Sequence, residues 1–283
     1  MTTQTIRDVL SLSTDFLEKK HLHASRRCAE ELISSVLGLK RLDLYMLFDQ
    51  PLADKELDAC RSGLERLAKR EPWQYVIGFV EFYDCHIAVT KDVLIPRHET
   101  EILTDKVLEL LKDKSFKGNR VWDLCCGSAC MAIALKKALP ELEVSASDLS
   151  TNALALARKN AEINSTDLSF HEGDLFAAFE GETVDLIVCN PPYVTEAEWA
   201  ELEPEVRDFE PREALVSGVE GTEFYARLAI EGKRYLNEGG ILCLEIGTGQ
   251  EAAVEALFRQ AEWGRMECKK DWASHDRFFF AWK

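Results

Sequence analysis

The sequence predicts an α/β protein: a seven-stranded, mostly parallel sheet covered by helices, preceded by a small helical domain. Three observations lead there. Apolar residues in the first stretch, up to about Cys85, recur at helical spacing. From Arg120 onward, short apolar runs alternate with helical segments, the order that builds a parallel sheet with both faces covered. The final two strands are joined only by Lys270 to Arg277, which leaves no room for a helix and implies an antiparallel hairpin at the end.

In chain order, Ile6, Val9, Leu10, Phe16 and Leu17 mark a first helix. Ala29, Leu32, Ile33, Val36 and Leu37 mark a second, with Gly38 as its stop. Leu57, Leu64 and Leu67 mark a third, which ends before Pro72. Phe79 to Tyr83 and Cys85 to Val89 read as a hairpin, and a helix starts near Glu99 or Thr100 and runs through Leu110. The strands expected after it are Val121 to Leu124, Leu142 to Ser147, Leu168 to Glu172, Val184 to Cys189, Ile241 to Ile246, Met266 to Lys269 and Phe278 to Trp282. The organisation expected is a helical domain over 1–76, a hairpin linker over 77–92 and an α/β domain over 93–283.

Composition narrows the function. The chain of 283 residues is 46% hydrophobic and 30% charged, as ordinary soluble domains are. No apolar run reaches the ~18 residues that span a bilayer. The stretch from Met1 to Leu10 lacks a basic-then-apolar leader pattern, so a cytoplasmic protein is expected. The net charge of -16 disfavours a binder that relies on neutralising phosphates, and no direct nucleic-acid partner is expected. The nine cysteines form no Cys-x-x-Cys framework, and the histidines have no partners at ligand spacing. Free buried thiols and no metal site are expected.

Ligands of such sheets bind at the carboxyl ends of the strands, which directs attention to the residues after Leu124, Ser147, Glu172 and Cys189. Asp123-Leu124-Cys125-Cys126-Gly127-Ser128-Ala129-Cys130 follows the first strand and resembles the Asp-x-Gly-x-Gly-x-Gly cofactor loop of class I methyltransferases. Gly127 keeps the middle glycine. The outer positions hold Cys125 and Ala129, residue types that adopt positive φ only at a cost. Asp148 lies near the ~20-residue distance from Gly127 at which a carboxylate meets a ribose diol; a role as helix cap competes, although Ser150 is better placed for that. Asp174, with Leu175 beside it, ends the third strand, either facing an adenine or in a surface turn. Arg97 and Glu99 precede a helix, where capping and a place near the cofactor compete.

Asn190-Pro191-Pro192-Tyr193 directly follows the apolar strand Leu186-Ile187-Val188-Cys189. A turn needs Asn and Pro but not a second proline and an aromatic. Methyl transfer to a planar nitrogen does. The lone pair of an amide or exocyclic amine is delocalised, so the group must be oriented. The Asn190 side-chain oxygen and the Pro191 carbonyl can each accept one N–H, aiming the nitrogen at the methyl. Prolines stiffen the turn and remove competing donors. Tyr193 can stack on the planar group. No strong base is required, because the methylated product sheds its proton readily.

Further segments extend the likeness. Glu71-Pro72-Trp73-Gln74-Tyr75-Val76-Ile77-Gly78, Leu94-Ile95-Pro96-Arg97-His98-Glu99-Thr100-Glu101, Phe209-Glu210-Pro211-Arg212-Glu213-Ala214-Leu215 and Glu245-Ile246-Gly247 with Gln250 all resemble motifs of the HemK/PrmC group of protein-(glutamine-N5) methyltransferases. The resemblance covers nearly the whole chain. It implies S-adenosylmethionine as cofactor, held by Cys125, Cys126, Gly127, Ser128, Ala129, Asp148, Leu175 and Asn190, to which the strand-end position adds Asp174. It implies peptide chain release factors as partners, methylated at the glutamine of a Gly-Gly-Gln motif by a turn formed of Asn190, Pro191, Pro192 and Tyr193. Departures are His98 for a proline, Cys189 for a serine, and Leu175 where some members place a tryptophan. Two other readings stand beside it. A nucleic-acid amino methyltransferase shares the turn but calls for a basic face. A non-catalytic cofactor-binding scaffold is favoured only by the loss of two loop glycines.

Overall fold

In the computed structural model, which describes residues 4–283, the chain divides into two compact units. One comprises the residues up to Phe79 together with Glu203–Phe209; the other comprises Val80–Leu202 and Glu210–Lys283. The first three residues of the expected helical domain lie outside the described residues.

The first unit holds α1 (Ile6–Lys19), α2 (Ser25–Leu37), α3 (Asp54–Leu67) and α4 (Trp73–Ile77). Thr5 caps α1 by exchanging hydrogen bonds with Asp8, and Gly38 ends α2 in the left-handed region at φ 65°. Ile6, Leu10, Leu17, Ala29, Ile33 and Leu67 form the apolar centre. A Cβ at Gly63 would meet the Leu32 side chain at 2.3 Å, so glycine is what lets α3 approach α2 this closely. Glu30 is buried yet paired, with Arg41 at 2.9 Å, Arg26 at 3.0 Å and the Tyr45 hydroxyl.

The second unit begins with a hairpin, β1 (Phe79–Phe82) and β2 (Cys85–Ala88). Tyr83 and Asp84 both sit at positive φ, the primed turn that a two-residue hairpin favours. Then come α5 (His98–Lys112), β3 (Arg120–Leu124), α6 (Cys130–Ala138), β4 (Glu143–Asp148), α7 (Thr151–Ile163), β5 (Ser169–Glu172) and β6 (Val184–Cys189). Next are β7 (Val194–Thr195), α8 (Glu196–Glu201), α9 (Pro204–Arg207, in the first unit's segment), β8 (Val216–Gly218), α10 (Glu223–Tyr235), β9 (Leu236–Glu245), α11 (Glu251–Gln260), β10 (Arg265–Lys270) and β11 (Asp276–Trp282).

Seven strands form one sheet in the order β10-β11-β9-β6-β3-β4-β5. β3 pairs in parallel with both β4 and β6, and β11 inserts antiparallel between β9 and β10. The chain thus leaves β3 in one direction and returns to its other side later. Right-handed crossovers in opposite directions put helices on opposite faces. Accordingly α6 packs on both α5 and α7, and α10 packs on α11. On the latter face Trp122 stacks on Phe179 at 4.0 Å and Phe176 on Tyr235 at 4.6 Å. β2 is pinned to α7 by Asn160, fully buried, whose amide bonds both the N–H and the carbonyl of Ala88 and also the Ser128 carbonyl.

The strands and the hairpin at the end agree with the sequence expectation, with bounds shifted by a few residues. The short pair β7 and β8, which lie parallel, and the one-turn helices α4 and α9 were not foreseen. Among the described residues no helix is long and apolar enough to cross a membrane.

Candidate active site

The reversal of strand order beside β3 opens a crevice at the carboxyl ends of β3, β4 and β6. A cavity of about 520 Å³ lies there, lined by Cys125 to Ser128, Asp148, Leu149, Asp174, Leu175, Asn190 and Pro192, with Arg97, Thr100 and Phe224 at its walls. Of the residues proposed from sequence, Ala129, Pro191 and Tyr193 do not line this cavity. Ala129 is fully buried beneath it, and Tyr193 packs against the core formed by β3, β6 and β9.

The loop after β3 keeps the backbone of a glycine-rich loop with only its middle glycine, Gly127. Cys125, Gly127 and Ala129 all lie in the left-handed region, at φ 56°, 52° and 60°. For cysteine and alanine this is strained backbone, of order 1 kcal/mol each. Hydrogen bonds hold it: Cys126 N–H donates to the Ser147 carbonyl at 2.9 Å, and Gly127 N–H to Asp148 Oδ2 at 2.8 Å. Asp148 Oδ1 accepts the Ser150 N–H at 2.9 Å, while Ser150 itself caps α7. Burial pushes the Asp148 carboxyl upward, opposed by those backbone N–H groups. Leu175 is likewise at positive φ, 51°, and Asp174 pairs with Arg227 at 3.0 Å.

Asp123, in β3 just before the loop, is fully buried. Its Oδ2 accepts the Ala132 N–H at 3.1 Å and its Oδ1 has no partner among the described residues. Burial pushes its carboxyl up to about 8, the Ala132 N–H opposing and the Asp148 charge adding to it. A folded-state value above the unfolded one means the native chain holds the extra proton in between. Stability from this group is therefore lost as pH rises from about 4 to about 8. Asp123→Asn has no proton to lose. Relative to its stability at pH 5, the variant should gain at least about 1 kcal/mol over the native chain at pH 9. Urea unfolding at the two pH values measures this, and parallel losses in both proteins would refute it.

The thiols of Cys126, Cys130 and Cys189 are driven upward by burial, so all three stay protonated near neutrality. A neutral thiol is a poor nucleophile and does not compete for an electrophilic methyl.

The turn after β6 is braced from three elements. Asn190 Nδ2 donates to Thr100 Oγ1 of α5 at 3.3 Å. The Tyr193 hydroxyl donates to Glu245 Oε1 of β9 at 3.4 Å. Burial, with Glu245 close by, raises the Tyr193 phenol, so it keeps its proton. Gln250 Nε2 donates to the Tyr193 carbonyl at 3.0 Å and to the Gly221 carbonyl at 3.2 Å, and its Oε1 accepts the Gly247 N–H at 2.9 Å. Arg97 forms an ion pair with the buried Glu210, whose Oε2 accepts the Ile95 N–H at 3.0 Å. Thr100, Glu245 and Gln250 stood in motifs visible in the sequence, but no local signal assigned them these contacts. Leu149 and Phe224 carried no signal beyond the proximity of Leu149 to Asp148.

A carboxylate for a diol, apolar walls at Leu149, Leu175 and Phe224, and a tight loop of small residues fit an adenosyl group with a methionine tail. Fold and site define an S-adenosylmethionine-dependent methyltransferase of the class I type. Residues 97–203 match the Methyltransferase small domain and residues 8–78 the PrmC N-terminal domain. The chain is 42% identical to the release factor glutamine methyltransferase of Geobacter sulfurreducens over 254 residues, 90% of this chain and 88% of that protein. It is 37% identical to the protein of the same name from Chlamydia trachomatis serovar L2 over 275 residues, 97% and 93% of the two chains. The chain belongs to the release factor glutamine methyltransferase family. In fold it is also similar to the hMettl16 catalytic domain solved with the MAT2A 3'UTR hairpin 1, at 16% identity and TM-score 0.56 over 81% of this chain and 80% of that one.

Proposed function

We propose that this chain methylates the side-chain amide nitrogen, N5, of the glutamine in the Gly-Gly-Gln motif of peptide chain release factors, acting in the cytoplasm on the translation termination machinery. The observation that carries the proposal is the Asn190-Pro191-Pro192-Tyr193 turn at the carboxyl end of β6, with the Asn190 amide held through its nitrogen so that its oxygen is left to accept. When bound, S-adenosylmethionine supplies an electrophilic methyl group on a sulfonium. The loop Cys125 to Ala129, with Asp148, Asp174 and Leu175, is the part of the chain that holds it. Asn190 Oδ1, on the cavity wall, accepts one N–H of the substrate amide, and the carbonyl of Pro191, between the lining residues Asn190 and Pro192, accepts the other at the cavity's edge, which orients the nitrogen. Tyr193 supports the turn through Glu245 and Gln250. The nitrogen that gains the methyl sheds one proton, so no strong base is needed.

A glutamine preceded by glycines fits a narrow slot, whereas a base in a duplex needs extrusion and a basic track. The helical domain over 1–76 supplies the contact surface that a single side chain cannot. Incubation of release factor with the protein and S-adenosylmethionine should add one methyl by intact mass, located on the glutamine nitrogen by fragmentation. Replacing that glutamine should abolish it. Label on RNA or DNA and none on release factor would refute the proposal.

A further inference from the structure

Glu245 is the last residue of β9 and is 1% exposed. A carboxylate in such a place is costly unless something requires it, since an apolar side chain of similar volume packs there at least as well. Its Oε2 accepts the Thr100 hydroxyl at 2.7 Å, and its Oε1 accepts the Tyr193 hydroxyl; burial pushes the carboxyl upward, and these two donors together with the Arg277 charge oppose that push and favour the accepting carboxylate. A threonine hydroxyl has a single proton. With that proton given to Glu245, only lone pairs of Thr100 Oγ1 face Asn190. The end of the Asn190 amide that meets Thr100 must then be the amino group, and the oxygen is the end left over. The reversed amide would present NH2 to an NH2 substrate, donor against donor.

We infer that Glu245 and Thr100 are positioning residues that fix which end of the Asn190 side chain faces the acceptor nitrogen. This rests on the role proposed above for Asn190. The direction runs from Glu245 through the Thr100 hydroxyl to Asn190, and it explains a buried carboxylate that touches neither the cavity nor solvent. Tyr193, bonded to the same carboxylate, ties the far end of the turn to the same anchor.

The test is a double-mutant cycle on turnover of release factor with S-adenosylmethionine. Thr100→Val keeps the shape and deletes the hydroxyl; kcat should fall about tenfold or more, with KM for release factor and calorimetric affinity for S-adenosylhomocysteine changing far less than kcat. Thr100→Ser should recover most of that loss. In an Asn190→Ala background, Thr100→Val should cost nothing further, because its effect passes through Asn190. Losses that multiply in the double variant, or an unchanged kcat in Thr100→Val, would overturn the inference. If Thr100→Val does not fold by near-UV circular dichroism, Thr100→Ser against Thr100→Ala isolates the same hydroxyl with the same expected outcomes. Wild-type turnover in Asn190→Ala alone would instead sink the role of Asn190, a result separable from failure at Thr100.

Discussion

Asn190→Ala is expected to lower turnover at least about a hundredfold, or about 2.7 kcal/mol of transition-state stabilisation. The side-chain oxygen is one of two acceptors proposed for the substrate amide, and a single remaining acceptor leaves rotation about the other N–H uncontrolled. The backbone of the turn should survive, because Gln250 holds the Tyr193 carbonyl and Glu245 holds its hydroxyl. Affinity for S-adenosylmethionine should therefore fall far less than kcat. Single-turnover kinetics with calorimetric titration separates the two. A variant that methylates at the native rate, or one that loses cofactor binding in proportion to turnover, would remove Asn190 from the proposed role.

Asp148→Ala should weaken S-adenosylmethionine binding by at least about tenfold, since charge-assisted hydrogen bonds to a diol are worth about 1.5–3 kcal/mol each. The structure gives a reason to expect more. The same carboxylate accepts the N–H groups of Gly127 and Ser150, so its loss frees a loop already strained at Cys125 and Ala129. Asp148→Asn keeps the shape and one acceptor oxygen and should lose less than the alanine variant. Calorimetric affinities that are unchanged in Asp148→Ala would rule out the ribose contact. Equal losses in both variants would assign the effect to charge rather than to the shape of the loop.

The sheet was legible in the sequence because strands buried on both faces read as continuous apolar runs, as in Leu186 to Cys189. The position of β11 between β9 and β10 was not, since a short connection announces a hairpin without saying which of its strands joins the sheet. β7 and β8, of two and three residues, are too short for any period to register. Within the site, the segment from Asn190 to Tyr193 stood out because an asparagine, two prolines and a tyrosine in succession are costly to explain as a plain turn. The partners of the turn were not. Thr100 lies 90 residues before Asn190, and Glu245 lies 52 residues after Tyr193. Only the folded sheet brings them together. The left-handed conformation of Leu175 also escaped notice, because a glycine would have advertised it and a leucine does not.

The first unit is not one continuous piece of chain. Its last segment, Glu203–Phe209, is encoded more than a hundred residues after Phe79. Glu205 in that segment pairs with Arg70 at 2.8 Å, and Arg70 also donates to the His21 carbonyl at 2.9 Å. During vectorial synthesis at about 5–20 residues per second, the four helices leave the ribosome several seconds before the segment that completes them. For that interval Arg70 lacks its acidic partner and the nascent helical unit is a fragment. The order of synthesis thus couples completion of the amino-terminal unit to production of most of the sheet, up to and beyond β6.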